Sequence, residues 1–528
     1  MNGVGRFRAT LVLALLMTLQ AADVPAASRP EVLNVALYQD IGTLDPHAGV
    51  VPDWLAFLGN LYEPLVDRDD TLTGRRGVLA TSWEVSADGL TYTFRLRPGV
   101  RFSDGAPFDA KAVRFSYDRS LALGKAPAGY LRVVRTLETP DDHTVVFRLK
   151  RPHAPFLAEL RFFFPVSPAA VARHEVRGDR AQGWLNDHSA GTGPYQVQRW
   201  DRGRTLAWTR NPHYWRGWRP GQFETVNLHM IYDTNTQRLM LEKGDLDVAQ
   251  NISIDDLPAV TRHPDIQVQQ HTGTSRSFIF LNGVVGPTRE RRVRQAIAHA
   301  WNADAYNALR RGQAPQSDGP CPLPLLGPEY TLKFPYAHDP AKARALLAQA
   351  GYPSGGFSLR FLVQKGDEQK KMQFEVLQGE LAKLNVRLEL IEETWPAINK
   401  RLAVWGGTRD AASAVHMVGF WRGASTGHIA DFLYWSFHTD ASIAKGGRNL
   451  LYYSNPEVDR LVNQAMATSD EAKARPLWRK ANELILEDSP ALFVEKILDH
   501  IVMRKDVQGY LYRDSKLTYD YYRMTRAR

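Results

Sequence analysis

The chain reads as an α/β protein with two or three lobes, and three features carry that reading. Its 528 residues are too many for one ordinary hydrophobic core, which stops growing at about 250–300 residues. In Thr91–Leu96, Tyr92, Phe94 and Leu96 alternate with Thr93 and Arg95, the period-two pattern of a half-buried strand. Ser358–Val363, Met372–Leu384 and Val386–Ile391 alternate strand, amphipathic helix and strand, which implies a parallel-type sheet in the second half of the chain.

In chain order, Glu31–Tyr38 (EVLNVALY) is expected to be the first strand, with a turn forced at Asp45-Pro46. Leu55–Leu65 reads as a helix. Ser86–Leu90 leads into the Thr91 strand, which Pro98-Gly99 breaks; Val100–Phe102 resumes extended structure before the turn at Asp104-Gly105. Asp109 is placed to cap a helix in which Val113, Tyr117 and Leu121 recur at i+4. Thr144–Leu149 is a further strand, and Pro152–Pro155 opens a short helix at Phe156–Leu160. Ala190-Gly-Thr-Gly-Pro-Tyr195 makes a tight turn into the strand Tyr195–Arg199; it lacks the Lys and Ser/Thr of a phosphate-cradling loop. A helix ends near Leu241–Gly244, and Ser277–Asn282 is a strand. Pro320–Pro328 is a loop, and Asp339–Gly351 a helix stopped by its glycine. Ala414–Phe420 is a strand, Trp421–Gly427 a loop and His428–Phe437 a helix. Asn455–Ala465 and Ala472–Leu486 are helices.

Composition narrows the class. Hydrophobic residues at 44% and charged residues at 23% fit a soluble globular protein. Arg6 and Arg8 precede the apolar run Ala9–Leu19, and Val24-Pro25-Ala26 offers small residues for cleavage. Residues 1–26 therefore read as a secretory signal peptide, since the run is too short to span a bilayer. The sole Cys321 excludes an internal disulfide framework and a Cys-rich metal site, and no Cys follows the signal to carry a lipid. The net charge of +9 falls to +8 when Arg6, Arg8 and Asp23 leave with the signal. Its basic residues are interspersed with acids, so it reads as a solvated basic surface and not as a nucleic-acid face. Walker A, HExxH and CxxC motifs are absent from the sequence.

Leu96–Arg119, LRPGVRFSDGAPFDAKAVRFSYDR, resembles the signature of family 5 extracytoplasmic solute-binding proteins, the oligopeptide, dipeptide and nickel receptors of ABC importers, whose usual form is LR.GVKFHDG.PFTA.DV.FS. The segments LDPH, YE.L, GTGPY, NP.YW, RVRQA and AGYP follow in family order over nearly the whole mature chain. The resemblance implies an α/β, two-lobed periplasmic-binding-protein fold of the large peptide-receptor class (type II), with an extra subdomain in lobe I. It implies lobe I over 27–272, with the subdomain at about 76–185, lobe II over 273–495, and a return of 496–528 to lobe I. It further implies a monomer in the periplasm that delivers a peptide or other small solute to an ABC permease of the inner membrane. No cofactor, metal or catalytic residue is called for.

The same resemblance nominates a cleft. In peptide receptors of this family a Trp is followed three residues later by an Asp that pairs with the peptide α-ammonium. Here Trp421 stands in place but the matching position is Ala424, with Asp431 further along the loop. Lys365 lies near the position of an Arg that holds the ligand carboxylate in dipeptide receptors, and Arg422 is a second anion candidate. Gly419, His428, Trp395 and Arg401 complete the second wall. Tyr38, Gln39 and Asp40, at the end of the first strand, form the other. The lost carboxylate keeps open a receptor for a nickel chelate or another non-peptide solute. Gly423-Ala-Ser-Thr-Gly427 also satisfies G-x-S-x-G, so a serine hydrolase built on Ser425, with Asp488 and His500, is the alternative outside this class. His416, His428 and His438 lack the spacing of a metal site.

Overall fold

A computed structural model describes residues 31–38, 41–49, 58–71, 73–125, 127–327, 329–330, 332, 334–513 and 519–527. The expectations for residues 1–26 and for Gln39 and Asp40 lie outside the described residues. One ten-stranded sheet runs through the molecule. Its strands are β1 (Val32–Leu37), β2 (Tyr195–Asp201), β3 (Thr205–Arg210), β4 (Thr225–Met230), β5 (Val248–Ala249), β6 (Ile266–Leu281), β7 (Phe357–Gln364), β8 (Val386–Glu393), β9 (Met417–Arg422) and β10 (Ala491–Arg504). Their order is β8-β7-β9-β6-β10-β5-β1-β4-β3-β2.

The two central strands tie the halves together. β6 and β10 run antiparallel from Ile266 opposite Arg504 to Phe280 opposite Ala491, with a register irregularity between Thr272 and Arg276. At one end Ile501 and Met503 pack with Leu33, Trp208, Val226 and Tyr521; at the other, Phe278–Leu281 and Ala491–Val494 pack with Phe361, Leu377, Met417 and Phe437. β10 therefore contributes to both cores, and β6 pairs with it along most of its length. β7 lies parallel to both β8 and β9, as the strand-helix-strand alternation predicts. Val507, Tyr519, Tyr521 and Met524 belong to the first of these cores.

A separate four-stranded sheet, in the order Ala80–Val85, Thr91–Leu96, Thr144–Leu149, Val134–Asp141, carries its own core of Phe94, Phe102, Val113, Phe147 and Phe156. Against it packs α1 (Ala110–Leu123), whose N-cap Asp109 accepts from the Ala112 N–H at 2.9 Å, as expected for that residue type. Gly124 closes the helix at φ 63°, a left-handed position that favours glycine. Leu121 ends 38% exposed, so the apolar stripe of α1 stops at Tyr117.

Five expectations are corrected, the first being the Pro320–Pro328 loop, inside which Leu323–Leu326 forms one helical turn. Asn60–Leu65 is not helical: the Asn60 side chain is drawn off to the Tyr519 carbonyl at 2.7 Å and the Tyr521 N–H at 3.0 Å, and its own carbonyl accepts from Tyr195. Val100–Phe102 makes only an isolated bridge, Arg101 to Pro107. Trp421 and Arg422 are the last residues of β9 and not loop, because β6 continues far enough to pair with both. The helix expected at His428–Phe437 is split into a 3-10 turn, Ile429–Asp431, and a short helix, Leu433–Phe437, with Phe432 between them.

Candidate functional site

The LDPH turn is the first landmark, and it is a structural lock. The Arg119 guanidinium on α1 grips both Asp45 oxygens, at 2.9 and 2.6 Å, and donates to His47 Nδ1 at 3.0 Å. His47 Nε2 in turn meets the Phe164 carbonyl at 2.9 Å, which assigns the proton to Nε2. Burial, and then Arg119, push the imidazole down to about 4, so it stays neutral. All three side chains are at most 1% exposed, and the arginine is fully matched by a carboxylate.

The segment 421–431 is built differently. Trp421 is held from two sides by α2 (Glu368–Ala382): its indole N–H donates to Asp367, the α2 N-cap, at 2.9 Å, and the Lys370 ammonium sits 3.9 Å from its ring centroid. Lys370 is fully buried and also donates to Ser277 Oγ on β6 and to Gln373 Oε1. Burial brings its pKa down to about 8, with Asp367 and Glu495 working the other way. Gly419 is the space in which this lysine lies, since a Cβ there would stand 2.9 Å from Lys370 Cδ.

Beyond Trp421, the loop is fastened to both halves of the molecule. The Ala424 N–H donates to Thr274 Oγ1 on β6 at 2.9 Å. From the first core's side, Arg161 donates to the Ser425 carbonyl at 2.9 Å and Arg75 to the Thr426 carbonyl at 3.4 Å. Asp431 is already engaged: its Oδ2 accepts from the N–H and the hydroxyl of Thr426, both at 2.8 Å. Burial raises this carboxyl to about 6 against those bonds and the pull of Arg422. Arg422 donates to the Asp431 backbone carbonyl, and burial lowers its guanidinium to about 10. The His428 Nδ1 accepts from the Ala430 N–H as a cap; burial, Arg75 and His153 bring the ring to about 3, leaving it neutral.

The other nominated residues scatter. Trp395 opens α3 (Trp395–Thr408) and stacks on Phe420 with centroids 4.9 Å apart. Arg401, on the same helix, pairs with Glu393. Lys365 is exposed just beyond β7, its N–H on the Glu393 carbonyl. Tyr38 lies at the end of β1 and acts electrostatically on Tyr519. Ser425 carries no nucleophile geometry: Asp488 is bound to Tyr453 and Asn455 at 2.7 Å, and His500 lies on β10 opposite Gln270. His416 and His438 receive backbone N–H bonds, from Arg360 and Asp440. The residues missed are Arg75, Arg161, Asp367 and Lys370; only Arg161, a lone charge inside LRFFF, stands out from its neighbours in sequence.

A two-lobed sheet protein with such a loop at its lobe junction is the architecture of a solute receptor. Residues 76–443 match the bacterial extracellular solute-binding proteins, family 5 (middle region), and the chain belongs to that family. Over 516 residues, 96% of each chain, it is 30% identical to the probable D,D-dipeptide-binding periplasmic protein DdpA of Escherichia coli K12. Identity to the glutathione-binding protein GsiB of Pectobacterium atrosepticum is also 30%, over 79% of each. Among solved structures, the periplasmic binding protein DppA from Helicobacter pylori in complex with the peptide STSA superposes with a TM-score of 0.79 at 27% identity, covering 94% of this chain and 98% of that one. NikA from Brucella suis in complex with Fe(III)-EDTA gives 0.79 at 25% identity, over 94% and 99%.

Proposed function

We propose that this chain is the solute-binding subunit of an ABC importer: it captures a peptide or peptide-like solute between two lobes and hands it to a permease of the inner membrane. The reading includes export by residues 1–26, a periplasmic monomer and no catalytic step. We infer lobes over 27–272 and 273–495, a subdomain at about 76–185 and a returning tail at 496–528. The observation that carries it is the grip of Arg75 and Arg161 on the carbonyls of 425–426, a loop presented by the opposite half of the sheet. Such contacts exist only when the lobes are together, so they belong to the closed state that a solute selects. The full-length match to a probable D,D-dipeptide receptor favours a short peptide-like cargo.

One observation favours a second reading within the same fold. Ala424 offers no carboxylate where peptide receptors hold an α-ammonium, and Asp431 is consumed by Thr426. A receptor for a metal chelate or another non-peptide solute needs no such anchor. A thermal-shift panel on the mature protein separates the two: stabilisation by short peptides, D,D-dipeptides included, upholds the first. Stabilisation by nickel-histidine or an EDTA chelate, with none by peptides, moves the protein to the second.

A further inference from the structure

Trp421, Ser277 and Glu495 stand in one row across β9, β6 and β10, each the register partner of the next. Side chains so paired point to the same face of a sheet. One residue of α2 reaches over this row. The Lys370 ammonium lies 3.9 Å from the Trp421 ring centroid, donates to Ser277 Oγ and feels the Glu495 carboxylate through the field. Glu495 Oε1 is in turn held by the Tyr306 hydroxyl at 2.7 Å and by Gln373 at 2.8 Å. The same turn of α2 grips the edge of the indole. Asp367 divides its carboxylate, Oδ1 accepting from the Lys370 N–H at 3.0 Å and Oδ2 from the Trp421 Nε1–H at 2.9 Å. Gly419, two residues before Trp421 on β9, leaves the space that the lysine stem fills. Held on an edge and on a face, Trp421 is still only half-buried. A buried ammonium carries a desolvation cost that an apolar side chain of the same length would not; what it adds here is a fixed ring plane.

We infer that Lys370 is a positioning residue for solute capture: with Asp367 it fixes the plane of the Trp421 indole, whose other face meets the cargo, and it ties that wall to β6 and β10. This deepens the solute-receptor reading and rests on it. An aromatic wall that is already immobile loses no rotamer freedom when cargo arrives, so its contact is worth more. The hold depends on the charge. Around the ammonium stand Asp367 from the α2 cap, Glu495 from β10 and Tyr306 from the helix Ala303–Leu309, with Arg310 acting on the last two. Burial pushes the Tyr306 hydroxyl and the Glu495 carboxyl up and brings Lys370 down to about 8. Lys370 therefore sheds its proton as pH rises through about 8, and cargo affinity should fall with it.

The test titrates D-Ala-D-Ala into mature protein by calorimetry, on either side of this pKa of about 8. At about one pH unit below it, Lys370→Met is expected to bind about tenfold more weakly than wild type. Wild type should lose a similar factor on moving to about one unit above it, and Lys370→Met should not change. Asp367→Asn, which keeps the helix cap, should fall between the two and decides the matter with the wild-type profile if Lys370→Met does not fold. Lys370→Met binding as tightly as wild type, or keeping the wild-type pH dependence, overturns the inference; so does Asp367→Asn with unchanged affinity beside a flat wild-type profile. Failure of wild type to bind D-Ala-D-Ala counts against that cargo alone. The ring is then read directly: the emission that Trp421→Phe removes should be quenched by acrylamide more strongly in the Lys370→Met background than in wild type, and equal quenching overturns the inference.

Discussion

Arg119 and Arg422 are both buried guanidiniums, and the difference between them separates scaffold from site. Arg119 faces the two oxygens of Asp45 and has every charge matched within its own core. Arg422 donates to the Asp431 backbone carbonyl and feels that residue's carboxylate only through the field, with Arg448 opposing it. A buried pair strands a charge when one member is removed. The first arrangement is a direct bidentate pair; in the second the carboxylate is bonded by Thr426 and the guanidinium meets it only through the field.

The largest expected effect breaks the matched pair. Arg119→Met alone should destabilise the first core by about 3–5 kcal/mol, because Asp45 is left buried and unpaired. Adding Asp45→Leu should restore much of that in urea unfolding; a single variant as stable as wild type would remove the distinction between the two arginines. Next comes Asp431. Its folded pKa of about 6 lies above the ordinary carboxylate value, so the native state holds a proton that the unfolded chain has released. Stability should therefore fall as pH rises from about 4 to about 6, by about 3 kcal/mol in this term. Asp431→Asn should flatten that slope, and an unchanged slope would show that the carboxyl titrates normally.

Arg422→Met sharpens the contrast with Arg119→Met, since the Asp431 carboxyl keeps both Thr426 bonds and the loss should be smaller. The variant is expected to unfold about 1.5–3 kcal/mol earlier in the same urea series, and a loss as large as that of Arg119→Met would put the two arginines in one class. Lys370 gives a smaller effect, about 0.5–2 kcal/mol for its contact with Trp421. Its depressed pKa means that its term gains stability as pH rises from about 8 towards the ordinary lysine range. Tryptophan fluorescence should titrate near pH 8 in wild type and not in Lys370→Met, with Asp367, Glu495 and Tyr306 the other ionisable groups around it. Smallest of all, the wild type should hydrolyse p-nitrophenyl acetate no faster than buffer, and Ser425→Ala should change nothing.

Local features were legible in the sequence and distant ones were not. Asp109 capping α1 and Gly351 after Gln349 follow from a few adjacent residues. The resemblance placed Trp421 and exposed Ala424 as a departure. Asn60–Leu65 misled because its hydrogen bonds go to Tyr519 and Tyr521, about 460 residues away, a competition no local pattern records. Arg161 and Arg75 reach the Ser425 and Thr426 carbonyls from 264 and 351 residues away, and nothing in any one segment says that they meet. Asp431 offered itself as a replacement anchor until Thr426 was seen to occupy it.

The measurement that bears most directly on this account is the chemistry of the solute retained by the mature protein, released by denaturation and analysed by mass spectrometry with and without amine labelling. A short peptide or peptide-like molecule is the expected result. A metal chelate or another solute with no peptide-like group would contradict it.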